Sequence, residues 1–219
     1  MSLGGQTVVQ PVRSVQTPWS NTLRLTWLVE PTVEPIEVDD ARRFLRLDAD
    51  DYSENGDILT LIKTARHDAE LAVHRQLCPA TIRVRLDRFP TERFFDLPRA
   101  APLISVIGVY YLDTAGVQQT LPLTTNYLVD SEAEPARIML PFGIPWPPVY
   151  LQGASVWCDY QCGYATPSLI PGGIIQWIKM RVATMYTYRE GLTTGAAMQP
   201  LPRSFMDGLL DDHRIPDFS

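Results

Sequence analysis

The chain has 219 residues, 45% of them hydrophobic and 20% charged, with a formal net charge of −6. That is enough apolar matter for one substantial core or two small ones, while the acidic balance argues against tight binding to a phosphate backbone, since nucleic-acid binders present a basic face that releases counterions. No run of about 18 apolar residues occurs and no basic patch precedes an apolar stretch near the start, so neither a membrane span nor a signal peptide is predicted, and the chain is expected to stay in the cytoplasm where it is made.

Residues 1–20 are rich in Gln, Ser, Thr, Val and Pro without helical periodicity and read as an arm whose order depends on a neighbour. Over 22–29, Leu23, Leu25, Trp27 and Val29 alternate as in a half-buried strand, which Pro31 and Pro35 break. Asp39 can cap a helix over 38–47 in which Ala41, Phe44 and Leu45 share a face. A longer helix is predicted over 57–77 from Ile58, Ile62, Ala65, Ala69, Ala72 and Leu77, with Pro79 ending it. Between 81 and 164, β-branched and aromatic residues fall in short runs punctuated by Pro, Gly and Asp, which predicts strands at 82–89, 94–97, 104–112, 118–121, 127–129, 137–140 and 154–160. Residues 113–116 supply hairpin turn chemistry, and the proline-dense stretch 141–148 is loop. Ile174, Ile175, Ile178, Val182, Met185 and Tyr186 make the apolar stripe of a helix over 171–190, opened by Pro171 and closed by Gly191. A linker then leads to a short helix carrying Phe205, Leu209 and Leu210, with Ser204 and Asp207 as its capping box.

These elements predict an α+β fold: a bundle of about four helices with a small antiparallel β insertion between the second and third main helices, an extended N-terminal arm and a C-terminal tail. The corresponding divisions are an arm with a strand at 1–35, a core at 36–201, and a terminal helix and tail at 202–219. Charge is uneven along them: Arg13 and Arg24 stand in a stretch without acids, whereas Asp207, Asp211, Asp212 and Asp217 crowd the C-terminus, as in a solvated tail or a charged docking segment.

Little in the sequence points to chemistry. Cys78, Cys158 and Cys162 are odd in number and lack CxxC spacing, and read as buried thiols. His67 and His74 lie two turns apart on one helix, too wide a span for one ion, so they belong to a surface or an interface. Asp48, Asp50 and Asp51 lack the alternating ligands and central glycine of a calcium loop and read as a solvated turn. Walker, GxGxxG, GxSxG and HExxH patterns are absent, so no catalytic, cofactor or metal residues are assigned. Trp146, Trp157, Trp177 and the pairs Tyr110–Tyr111 and Tyr186–Tyr188 read as core or subunit contacts rather than a base-stacking platform, since lysines do not interleave with them.

The order of these signals resembles the head-tail connector, or adaptor, proteins of tailed bacteriophages, including those of prophages and gene transfer agents. The resemblance runs from about Ile36 to Arg214. It is carried by the short helix Glu37-Val38-Asp39-Asp40-Ala41-Arg42-Arg43-Phe44-Leu45-Arg46-Leu47, by Ala65-Arg66-His67-Asp68-Ala69-Glu70 on the second helix, and by Leu86-Asp87-Arg88-Phe89-Pro90. Leu97-Pro98, Pro102-Leu103-Ile104-Ser105-Val106 and Tyr110-Tyr111-Leu112-Asp113-Thr114-Ala115-Gly116 follow. Trp146-Pro147, Cys162-Gly163-Tyr164 and Met185-Tyr186-Thr187-Tyr188-Arg189-Glu190 complete it.

The resemblance implies a non-enzymatic virion protein at the head-tail junction, a ring of copies, usually a dodecamer, that sits beneath the portal, extends the DNA channel and offers a platform for the stopper or tail connector. It implies portal docking through the C-terminal segment, where Phe205, Leu209, Leu210, Arg214 and Phe218 are the candidate anchors, on a helix expected to stand apart from the core. The alternative is that this helix packs on its own subunit. Glu132 and Glu134, on a β-region loop, are the candidate channel-lining acids, where like charge would limit sticking of passing DNA. A head-completion or tail-end connector role and, from another class, a virion-associated hydrolase are the competing readings.

Overall fold

The computed structural model describes residues 23–48, 52–150, 152–188 and 208–215. Among them, in chain order, run β1 (Arg24–Val29), α1 (Val38–Leu45), α2 (Asn55–Val73), β2 (Ala80–Leu86), β3 (Phe94–Asp96), β4 (Leu103–Leu112), β5 (Gln118–Leu121), β6 (Leu128–Asp130), β7 (Arg137–Met139), β8 (Val156–Cys162) and α3 (Gly172–Thr187). A 3-10 turn, Pro167–Leu169, leads into α3, and a helical turn occupies 208–211.

The strands form two antiparallel sheets, one ordered β1-β2-β8-β4-β5 and one ordered β3-β7-β6. Period-two patterning explains which faces meet. Ala80, Ile82, Val84 and Leu86 of β2 point inward with Val156, Cys158, Tyr160 and Cys162 of β8, and they share a core with Phe95 and Ile138 of the smaller sheet. Asp113 sets the β4–β5 hairpin by accepting from the amides of Ala115 and Val117, and Gly116 supplies the positive φ of +78° that the turn requires.

A second core lies between the helices. Ile58, Ile62, Ala65, Ala69 and Val73 fall every three or four residues along α2 and are fully buried against Ile174, Ile178 and Val182 of α3. The two layers join where β2 and β8 meet the helices, and Gly163 makes the join possible. Its φ is +112°, and a Cβ there would stand 2.5 Å from the carbonyl oxygen of Cys78. The neighbouring amides are used, Gly163 donating to Pro102 and Tyr164 to Leu77.

The expected helical bundle with a small β insertion is not what forms. The individual strands lie close to where the short β-branched and aromatic runs place them, but they build two sheets, one of them five-stranded, rather than a small insertion, and β1, assigned to the arm, pairs with β2 and becomes the edge of the main sheet. Local periodicity reveals a strand and not its distant partner. Helix ends also differ. Helix α2 stops at His74, whose φ of +57° is the left-handed cap, five residues before Pro79. Helix α1 follows Glu37 rather than a capping Asp39, which lies in its first turn, and Phe44 is 40% exposed instead of sharing the buried face of Ala41. The arm 1–20, Asp50, Asp51, Gly191, Ser204, Asp207 and the linker before them lie outside the described residues. No helix among the described residues is long and apolar enough to cross a membrane.

Candidate interaction surfaces

The polar groups buried between the layers serve architecture. Glu70, almost wholly buried, accepts from the Gln76 side chain at 2.6 Å, from the Leu77 amide at 3.1 Å and from Arg66 Nη1 at 3.0 Å. Arg66 also holds Glu34 at 2.8 Å, so the chain ahead of α1 is tied to α2. Burial pushes the Glu70 carboxyl up, and Arg66 opposes the shift. Gln76 accepts in turn from Trp27 Nε1, which links β1 to the same network. On the main sheet's outer face Arg83 grips Asp159 through two bonds of 2.6 and 2.7 Å and lies over Trp157, which stacks with Tyr110.

Among the described residues no group of three His, Cys, Asp or Glu side chains is placed to hold a metal ion. Cys78, Cys158 and Cys162 are buried free thiols, and burial pushes Cys78 and Cys162 up to about 12 and Cys158 higher still. His67 and His74 are exposed.

The proposed anchors are divided by the structure. Leu210 is 1% exposed and packs in the helical core, with Leu209 partly buried beside it. Around them Arg75 Nε donates to the His213 carbonyl at 2.6 Å, the Ile215 amide to Val73 at 3.0 Å, and Arg214 Nε to Ala72 at 3.0 Å. The terminal helical turn therefore packs on its own subunit, and the expectation that it stands apart is corrected: the carbonyls left open at the end of α2 are satisfied from there. Arg214 is exposed, while Phe205 and Phe218 lie outside the described residues. Glu132 is exposed on the β6–β7 loop. Glu134, on the same loop, is ion-paired with Arg75, which holds its carboxyl below the usual range.

Exposed apolar side chains are scattered over the described surface, and two features stand out among them. Phe142 is fully exposed at the tip of the proline-dense loop, and a groove lies between the 33–38 segment, α2 and α3. A Phe-Gly step between prolines was the available signal for the first; the second is a product of packing.

No protein-family model and no curated protein matches the chain. Solved structures do. The neck of an empty gene transfer agent particle, computed with C6 symmetry, contains a chain 22% identical, with a TM-score of 0.71, over 90% of this chain and 97% of that one. The virion of a native gene transfer agent particle gives 22% and 0.71 over 89% and 97%, and the neck of a native particle computed with C12 symmetry gives 22% and 0.66 over 90% and 97%. The likeness establishes a shared fold along nearly the whole length of both chains.

Proposed function

We propose that this chain is a structural subunit of the neck of a phage-like particle, a head-tail connector that forms a ring under the portal, continues the DNA channel and seats the next connector or the tail. The observation that carries the reading is the shared fold, end to end, with chains of gene transfer agent necks. Necks computed with C6 and C12 symmetry favour a ring of this chain, with a dodecamer as the first expectation. No catalytic step enters the reading, and the DNA passes without sequence-specific contact. The net charge of −6 suits a channel that must not retain phosphate. Glu132 is the channel-facing acid kept by this reading, since the charge of Glu134 is already matched by Arg75.

Portal docking through residues 202–219 is proposed with one change. Leu210 is committed to its own core, so Phe205, Leu209, Arg214 and Phe218 are left to meet the portal. The test is electron microscopy and native mass measurement of the full chain mixed with portal-containing capsids. A collar at the portal vertex is expected. Binding only after another neck protein has been added would instead make it a stopper or tail-end connector, and a monomer that joins no particle would refute the neck role.

A further inference from the structure

The groove at the helical end has a volume of about 640 Å³ and is walled by Val33, Pro35, Ile36, Leu59, Ile170 and Ile175. Of the three carboxylates that line it, Glu34 is paired with Arg66 and Asp40 with Arg43, which leaves the exposed Glu37 across from the ammonium of Lys179. Phe142 is wholly exposed, and its loop is held rather than loose. Gly143 takes a φ of +80°, the Ile144 amide donates to Pro141 at 3.2 Å, and Arg93 Nη2 reaches the carbonyls of Leu140 and Pro141. Four residues on, Trp146 stacks on Phe89 at 4.6 Å and donates to the Glu92 carbonyl at 2.8 Å. A knob already fixed in shape loses little freedom on docking.

Knob and groove cannot meet within one copy. At one end of β2, Ala80 pairs with Cys162, where the helices attach; at the other, Leu86 pairs with Val156, and Phe89 with its Trp146 partner lies just beyond. Seven residues at about 3.3 Å each set these ends roughly 20 Å apart. We propose that Phe142 of one copy seats in the groove of a second copy, with Arg93 facing Glu37 at its rim, as the lateral contact repeated around the ring. The proposal rests on the ring reading above. It uses two different patches at opposite ends, which is the heterologous arrangement that a closed ring requires.

Cysteine cross-linking tests it, since the buried native thiols stay silent. The full-length F142C/V33C variant, concentrated until it assembles and then mildly oxidised, should give a ladder of disulfide-linked multimers; either single variant should give no ladder. Because losing a buried aromatic ring weakens association at least about tenfold, F142D should remain folded by circular dichroism yet assemble that much less readily in native mass measurements. Intact F142D rings together with no ladder would overturn the contact and leave the ring standing. A V33C cross-link to a cysteine placed in the arm, as in V9C, would also overturn it, giving the groove to residues 1–22. A wild-type chain that never assembles, alone or on particles, would remove both the contact and the ring.

Discussion

Arg75 and Glu134 hold each other through both terminal guanidinium nitrogens, Nη1 lying 2.9 Å from Oε1, and so fasten the chain just past α2 to the loop between β6 and β7. The same Arg75 donates to the His213 carbonyl. One side chain thus joins the end of a helix, the smaller sheet and the C-terminal segment.

The pair has a pH signature. The hydrogen bond to Arg75 lowers the Glu134 carboxyl below its ordinary value, so the unfolded chain binds the proton more readily than the folded one. Its stabilisation is therefore complete above the ordinary glutamate pKa and is lost as pH falls through the lower, folded value. Because the Glu134 side chain is 54% exposed, solvent screening keeps the effect under about 1 kcal/mol. Urea denaturation of wild type and E134Q should show a small difference at pH 6 that vanishes once acid has protonated the folded-state carboxyl; a gap that persists there would assign it to something other than the charge.

Tyr160 donates to the Pro98 carbonyl at 2.6 Å from a fully buried position between the sheets. Y160F keeps the ring and removes the donor, leaving the carbonyl of half-buried Pro98 without that partner. Denaturation should report a loss of about 0.5–1.5 kcal/mol with the denaturant slope unchanged.

Gly163 and Gly116 separate two reasons for needing glycine. Both have positive φ, but a Cβ at Gly116 meets nothing within 4 Å, whereas one at Gly163 meets the Cys78 carbonyl oxygen at 2.5 Å. G116A should cost about 1 kcal/mol from backbone conformation alone. G163A adds overpacking against backbone, for a further 1–3 kcal/mol or about that. Equal melting temperatures for the two variants would mean that the join between the layers can give way.

What the sequence made legible was local. Strand β5 falls at 118–121, where the run after the hairpin turn places it, and the stripe from Ile174 to Val182 is the buried face of α3. The pairing of Leu25 with Val84 joins residues far apart in the chain, and no period encodes it. That one pairing turns an arm and an insertion into a five-stranded sheet. Helical patterning likewise treats Arg66 and Glu70 as solvent-facing charges, although their burial follows from Glu34, Gln76 and Leu77 arriving from outside the helix. Of the candidate surfaces, the acids of the β6–β7 loop and the C-terminal anchors could be named from sequence, but Leu210's burial against α2 and α3 could not.

Gly173 decides how firmly that C-terminal segment is seated. It stands in the first turn of α3, and a Cβ there would lie 2.8 Å from the Leu209 carbonyl oxygen. Alanine favours a helix over glycine by about 1 kcal/mol, while a clash with backbone costs about 1–3 kcal/mol, so the clash should win. Residues 208–215 are a single helical turn held by three hydrogen bonds and the burial of Leu210, against the sixteen residues of α3, and would move before α3 does. In G173A the Ile215 amide should lose much of its hydrogen-exchange protection, whereas amides near Ile178 and Val182 keep theirs. Since Leu209 and Arg214 are proposed to meet the portal from this seat, capsid binding should fall in parallel with the lost protection; undiminished binding by a chain whose Ile215 amide exchanges freely would place the docking surface elsewhere.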